Sequence, residues 1–197
     1  MLAHVRARSD NAARGNDMTD NVYDYFSSLP GATNLFGSPR IDRELVANFF
    51  MIFSRAEYAL KRAGLFLPEK RGGVDIQWDQ FASSIAHSLS GIKDTRLTRA
   101  IDYLTQHPPR KQFVNAAGQL DWKERKRGNQ SDAEFLIRSI TTVRNNLFHG
   151  GKEVTWTMAE RDHDLIENSL IVLAYCVNQN HGVWRAFAEI PPEVPTA

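Results

Sequence analysis

Two side chains that can carry out acid–base and phosphate chemistry lie five residues apart in this sequence, Arg144 and His149. Histidine titrates near neutral pH and can accept or donate a proton. Arginine stays charged and offers a planar fork of donors that matches phosphate oxygens. Such a pair can cleave RNA with no metal or other cofactor: the ribose 2′-OH attacks, histidine moves the proton, and arginine holds the charged phosphate. The expected products carry a 2′,3′-cyclic phosphate and a 5′-OH.

A helix is predicted to carry this pair. Ser131 and Glu134 form the Ser-x-x-Glu pattern of a capping box, which marks a helix start. Apolar residues then recur every three or four positions, at Leu136, Ile140, Val143 and Leu147. Gly150 and Gly151 provide a natural stop. We therefore expect Arg144 and His149 at the C-terminal end of one amphipathic helix.

Polar residues follow one face of this predicted helix, at Glu134, Arg138, Thr142, Asn145 and His149. Arg144 lies about 140° around the axis from His149 if the helix stays regular. Two residues placed in this way flank a groove and do not stack on each other. We therefore expect a homodimer in which a second copy of the helix faces the first and brings two arginines and two histidines together.

The rest of the sequence predicts an all-α bundle of four or five helices, with one longer insertion before the helix that carries Arg144. Amphipathic spacing predicts the other helices over residues 41–62, 78–89, 93–106 and 158–178. Residues 112–126 show no helical period and predict a loop or a small hairpin. We divide the chain into a flexible lead-in (1–40), with a short helix near 21–29, a helical bundle (41–180) and a C-terminal tail (181–197).

Composition restricts the class of protein. The 24 Lys and Arg residues nearly balance 23 Asp and Glu residues, so any attraction for phosphate must come from local clusters. The single cysteine, Cys176, lies in an apolar run that predicts a buried core thiol, which suits a reducing cytoplasm. No apolar stretch is long enough to cross a bilayer, and residues 1–17 lack the apolar region of a secretory signal. We expect a cytoplasmic protein without a membrane partner.

Asp162, His163 and Asp164 resemble metal ligands by type. Adjacent residues on a helix point in different directions, however, and cannot jointly hold one ion. We therefore predict a solvated helix start at these positions and no metal site.

The Arg144-Asn145 pair followed by His149, on the penultimate helix of a small bundle, resembles the HEPN superfamily. The first long helix adds Glu57, Lys61 and Arg62, similar to a Glu-x-x-x-Lys-Arg motif of some HEPN groups. The resemblance spans residues 41–178 and is weakest over 78–127. It implies a metal-independent ribonuclease that dimerises to build one composite site, with Arg144, Asn145 and His149 as catalytic residues. Many catalytic members are toxins or effectors of anti-phage systems, so an antitoxin or defence partner is implied as well.

Further residues are candidates for RNA binding or for support of the site: Glu57, Lys61, Arg62, Lys123, Arg125, Lys126, Arg127, Arg138 and Lys152. The basic run 123–127 stands close in sequence to the predicted catalytic helix, and a solvated loop is the alternative interpretation. Glu57 and Lys61 have the spacing of a surface ion pair, which competes with a role in steering Arg144. Trp122 and Trp156 suit either base stacking or packing.

Two other functions fit the same residues. A non-catalytic HEPN module would bind a nucleotide, RNA or a partner protein without turnover. In a helical interaction subunit, the helix with Arg144 would only build the dimer. In both cases Arg144 and His149 would be a structural pair at a helix end, where the helix dipole favours a histidine, and Asn145 would satisfy its own backbone.

Overall fold

The computed structural model describes residues 42–148 and 156–189, which are mostly helical. The helices within these residues are α1 (Arg43–Arg62), α2 (Trp78–Ile85), α3 (Thr95–Gln106), α4 (Asp132–Phe148), α5 (Trp156–Gln179) and α6 (His181–Phe187). A 3₁₀ turn over Ala86–Leu89 extends α2. Two antiparallel hairpins complete the described fold: β1 (Phe66–Pro68) with β2 (Val74–Ile76), and β3 (Lys111–Val114) with β4 (Leu120–Lys123). The prediction of a mainly helical fold is confirmed at this level.

Every one of these helices contributes apolar side chains to one core: Phe49, Phe53, Leu60, Phe81, Ile85, Leu97, Leu104, Leu136, Ile140, Ile166, Leu173 and Val183 are buried. Along α5, the predicted inward positions Leu165, Ser169 and Val177 are buried, and Leu170 is half-buried. Cys176 is fully buried, as its apolar run predicted. None of the described helices is both long enough and apolar enough to cross a lipid bilayer.

The capping box predicted at the start of α4 is present. The backbone N–H of Ser131 donates to Glu134 Oε2 at 2.9 Å, and the N–H of Glu134 donates to Ser131 Oγ at 3.3 Å. These reciprocal bonds satisfy backbone donors that have no partner inside the helix. The helix then runs to Phe148, and the predicted stop at Gly150 and Gly151 lies outside the described residues.

Residues 112–126 were predicted to form a loop or a small hairpin, and the structure shows the β3–β4 hairpin there. Its turn is built by Asn115, whose Oδ1 accepts the backbone N–H groups of Ala117 and Gln119 at 3.0 Å each. Gly118 adopts a φ of +76° in this turn, a conformation that other residues rarely take. The strands pair Gln112 with Trp122. The hairpin therefore places these two side chains on the same face.

Two elements differ from the sequence predictions. The β1–β2 hairpin was not predicted, because its strands are three residues long and mostly exposed, so they show no alternating pattern. Residues 181–197 were predicted to be a tail, but His181–Phe187 form α6, capped by Asn180, whose Oδ1 accepts from Val183 N. The helix packs on α1, where Arg55 Nε donates to the Phe187 carbonyl at 2.9 Å. The lead-in (1–40) and residues 190–197 lie outside the described residues.

Replacing Ser131 with alanine removes one half of the capping box. We expect Ser131→Ala to lower the free energy of unfolding by about 1 kcal/mol, measured by urea denaturation. The matched control is Ser54→Ala, at an exposed position inside α1, where we expect a change within about 0.5 kcal/mol. Equal losses in the two variants would contradict a capping role for Ser131.

Burial raises the pKa of the Cys176 thiol to about 12. Because the reactive thiolate is the disfavoured form in the folded state, we expect no reaction of the native protein with a thiol reagent near about pH 8. The same reagent should label Cys176 fully in denaturant. Rapid labelling of the native protein would contradict this placement of the thiol in the core.

Candidate functional site

Arg144 lies near the C-terminal end of α4 and is held by side chains of both α4 and α1. Its guanidinium lies 4.7 Å from the ring centre of Phe148 and 5.6 Å from that of Phe53. Nη2 is 3.7 Å from Glu57 Oε1, and Nη1 donates to Asn145 Oδ1 at 3.0 Å. The side chain keeps 30% of its surface exposed. The arginine is therefore held in direction while its side chain stays partly open to solvent.

Among the described residues, Glu57 forms an ion pair with Arg144. The sequence had also suggested a surface ion pair between Glu57 and Lys61. The structure thus favours the interpretation in which Glu57 steers the arginine. Lys61 is exposed near the end of α1. Arg62 lines a different groove, between the end of α1 and α6, together with Arg185. Of the predicted Glu-x-x-x-Lys-Arg group, the described contacts bring only the glutamate to Arg144.

His149 and Lys152, both predicted site residues, lie outside the described residues. The described part of the site is therefore Arg144, its partners and the neighbouring surface of α4.

A groove of about 580 Å³ lies between α4, the β3–β4 hairpin and the loop that joins them. We call it the basic groove, and it is lined by Lys111, Gln112, Trp122, Arg125, Lys126, Gln130, Arg138, Thr141, Thr142, Asn145 and Asn146. Four of these residues are Lys or Arg, and among the described residues that line it none is Asp or Glu. The predicted polar face of α4 is confirmed for Arg138, Thr142 and Asn145, which all line this groove.

Helix side chains donate hydrogen bonds to backbone carbonyls at the base of the β3–β4 hairpin. Asn146 Nδ2 donates to the Arg110 carbonyl at 2.9 Å. Arg161, on α5, donates through Nη2 to the Pro108 carbonyl at 2.7 Å. These bonds anchor the segment that leads into β3, and with it the base of the hairpin, to α4 and α5.

Arg125 is held inside the groove by a relay of two hydrogen bonds. The Thr142 hydroxyl donates to the Arg138 carbonyl at 2.7 Å, which leaves its oxygen free to accept from Arg125 Nη1 at 3.1 Å. The Arg125 guanidinium also lies 5.4 Å from the Phe135 ring centre. Burial, and then the charge of Arg138, lower the pKa of Arg125. The groove therefore contains positive charge that its own residues only partly compensate.

Arg138 has its charge compensated by a carboxylate that does not line the groove. Its Nε and Nη2 donate to the two carboxylate oxygens of Asp79, on α2, at 2.9 and 2.5 Å. Such a bidentate pair fixes the plane of the guanidinium. About half of each side chain is exposed, so the pair contributes little to stability.

The structure divides the basic run 123–127 into two groups. Arg125 and Lys126 line the basic groove. Lys123 lies over the Phe113 ring at 5.3 Å, and Arg127 pairs with Asp132 at the start of α4. The predicted contact of Lys123, Arg125, Lys126 and Arg127 with RNA stays a prediction, and the structure brings only Arg125 and Lys126 to this groove.

Sequence reasoning assigned no site role to five groove residues: Lys111, Gln112, Gln130, Thr141 and Asn146. Gln112 belongs to the segment predicted as a loop or a hairpin, and Lys111 directly precedes it; their partners across the hairpin are Trp122 and Lys123. If the sequence had revealed the register of the hairpin, it would have placed Gln112 opposite Trp122. Among the described residues, no group of three or more His, Cys, Asp or Glu side chains is arranged to hold a metal ion.

Asn145 connects the two halves of this surface. Its Oδ1 accepts from Arg144, and the residue also lines the basic groove. Arg144 thus adjoins a groove that gathers four Lys and Arg side chains. Chemically, the arrangement can bind consecutive phosphates and present one of them to Arg144.

Removing the carboxylate of Asp79 should make the basic groove more attractive to polyanions, since Arg138 loses its partner. We expect Asp79→Asn to elute from immobilised heparin at higher salt than the wild type, with unfolding free energy changed by no more than about 1 kcal/mol. The charge-matched control is Asp102→Asn, at an exposed position of α3 that does not line the groove. The same shift in both variants would show that net charge, and not the groove, determines retention.

Comparison of the chain with protein-family models, with curated proteins and with solved structures gives no match. The similarity to the HEPN superfamily therefore rests on residues of this sequence, among them Arg144, Asn145, His149 and Glu57.

Proposed function

We propose that this chain is a metal-independent endoribonuclease of HEPN type that acts as a homodimer. Arg144 grips the scissile phosphate and stabilises its transition-state charge, and His149 acts as general acid or base. Asn145 orients the arginine or the RNA. The products carry a 2′,3′-cyclic phosphate and a 5′-OH.

The observation that carries this proposal is the position of Asn145, between Arg144 and the basic groove. RNA bound along the groove by its phosphates would pass directly beside the arginine. A metal-free ribonuclease needs that proximity, because positioning and charge stabilisation supply much of its rate.

The contacts of Arg144 leave it able to bind a phosphate. Its distance of 3.7 Å to Glu57 Oε1 is that of an ion pair and not of a hydrogen bond. Asn145 uses one of the five guanidinium N–H donors. Among residues 42–148 and 156–189, no other side chain occupies the remaining donors, which suits them to phosphate oxygens, while Glu57, Phe53 and Phe148 hold the group in direction.

The end of α4 also suits a dimer. Phe148 is 60% exposed and stacks edge-on against Phe50, at 4.9 Å between ring centres. Met51, on the same helix as Phe50, is 69% exposed. The exposed ring of Phe148, which contacts Arg144, leaves apolar surface in solvent there and favours contact with a second copy. In the proposed setting the enzyme is a cytoplasmic toxin or anti-phage effector, which an antitoxin or another defence protein controls.

The second candidate is a non-catalytic HEPN module that binds a nucleotide, RNA or a partner protein. The contacts of Arg144 favour it in one respect, since an ion pair and two aromatic rings are also what a purely structural arginine would have. The basic groove would serve such a module equally well. Turnover of RNA distinguishes the two functions.

Cleavage of RNA in the presence of EDTA tests the proposal. We expect the wild type to produce cyclic phosphate ends, and His149→Ala to reduce the rate by about 10²–10⁴-fold. Arg144→Ala should reduce it by about 10²–10³-fold. Arg144→Lys should recover little of the rate, because lysine lacks the planar fork.

The control for these variants is Arg99→Ala, at an exposed position of α3, which should cleave at the wild-type rate. Mass measurements in solution should give a dimer for both the wild type and His149→Ala, so that lost activity is not lost assembly. Unchanged cleavage in both His149→Ala and Arg144→Ala would rule out the proposed site. RNA binding without any cleavage by the wild type would establish the non-catalytic module.

A further inference from the structure

We infer that the basic groove is a binding site for one or two unpaired nucleotides of single-stranded RNA, with a base stacked on Trp122 and the flanking phosphates on Lys111, Arg125 and Lys126. The inference rests on the proposal that the chain acts on RNA, but it concerns binding and does not require catalysis. In this inference the groove selects unpaired RNA. Arg144 and His149 alone do not provide that selectivity.

The volume of the basic groove suits a small ligand. A groove of about 580 Å³ falls in the range of small-ligand sites, about 300–1,000 Å³, and can hold one or two nucleotides. A duplex is far too large to enter it. An A-form helix would also expose its phosphates and 2′-hydroxyls to the protein while keeping the faces of its bases stacked inside.

The basic groove contains an aromatic residue, Trp122, on which a base can stack. Trp122 is half-buried and lines the groove from the hairpin side, which offers a ligand in the groove an aromatic residue to contact. Stacking of a base on an aromatic ring is tolerant of sequence but requires an unpaired base. Gln112, the cross-strand partner of Trp122, also lines the groove and places an amide beside the stacking site. An amide in that position can both donate to and accept from the edge of a base.

The positive charge of the basic groove suits the phosphates of RNA. Lys111 and Lys126 are exposed at the groove, and Arg125 is half-buried in it. The carboxylate of Asp79 is already engaged by Arg138, and Glu124 lies 3.9 Å from Arg110, which does not line the groove. The mutual repulsion of Arg125 and Arg138 would be relieved by an anion between them. A phosphate supplies that charge, and a stacked nucleotide brings it together with a base.

The test measures binding and cleavage separately. Binding is measured by fluorescence anisotropy, in EDTA and with His149→Ala to prevent turnover, for an oligouridylate of about ten nucleotides. The comparison ligands are a duplex RNA of equal length and the corresponding oligothymidylate. We expect the oligouridylate to bind more tightly than the duplex, and to quench tryptophan fluorescence in a way that Trp122→Phe abolishes.

Substitutions in the groove should have distinct effects. Trp122→Leu should weaken binding by about 5- to 150-fold, and Trp122→Phe, which keeps an aromatic face, should recover most of that loss. Lys126→Ala and Lys111→Ala should each reduce the slope of log affinity against log salt by about 0.7. The matched control is Lys93→Ala, at an exposed position outside the groove, which should leave the slope unchanged. Thermal unfolding verifies that each variant is folded.

Each outcome decides one of the two proposals. Tighter binding of the duplex, or equal binding by wild type, Trp122→Leu and Lys126→Ala, would overturn the groove inference, even if the enzyme cleaves RNA. Groove-dependent binding of the oligouridylate without cleavage by the wild type would support the inference while overturning the proposed ribonuclease. Equal affinity for the oligothymidylate would overturn the assignment to RNA, since a single-stranded DNA would then serve as well.

Discussion

Helix α4 packs against α2, α3, α5 and strand β3, and the burial of its apolar side determines where its polar residues point. Leu136, Ile137 and Ile140 are each almost completely buried. Burial of a side chain of this size stabilises the fold by about 1.5–3 kcal/mol, whereas an exposed ion pair contributes about 0–1 kcal/mol. The apolar side of α4 therefore fixes its rotation, and the ion pairs adapt to it. Arg144 then faces α1, and Thr142 faces the hairpin.

A second consequence is that the two polar sides of α4 have different chemical environments. Arg144 is surrounded by aromatic rings and one carboxylate, which orient a single cation. The basic groove gathers several cations, and its burial lowers the pKa of Arg125. Such an accumulation of like charge opposes folding, and residues such as Phe135 and Thr142 offset part of that cost. Proteins depart from the most stable arrangement mainly at functional sites, where a ligand supplies the missing charge.

The secondary structure that the sequence predicted correctly depends on local signals. The capping box of Ser131 and Glu134 and the apolar period of the helices act within one or two turns, so the sequence alone reveals them. The β1–β2 hairpin and α6 were missed, because three-residue strands and a seven-residue helix carry too little periodicity. Asn180 followed by Val183 is the local signal that could have indicated α6, since the asparagine caps the helix that buries the valine.

The candidate site, like the secondary structure, has parts that the sequence predicts and parts that it does not. The sequence by itself determined that Arg144 and Asn145 lie at the end of a capped helix and that Arg138 and Thr142 share a face with Asn145, because helical geometry follows from spacing. Only the tertiary structure decided that Glu57 pairs with Arg144, that Arg125 enters the basic groove, and that Lys123 and Arg127 do not line it. These contacts join segments distant in sequence or depend on how a hairpin is registered and rotated. Such choices are set by the packing of the whole core, and no local pattern encodes them.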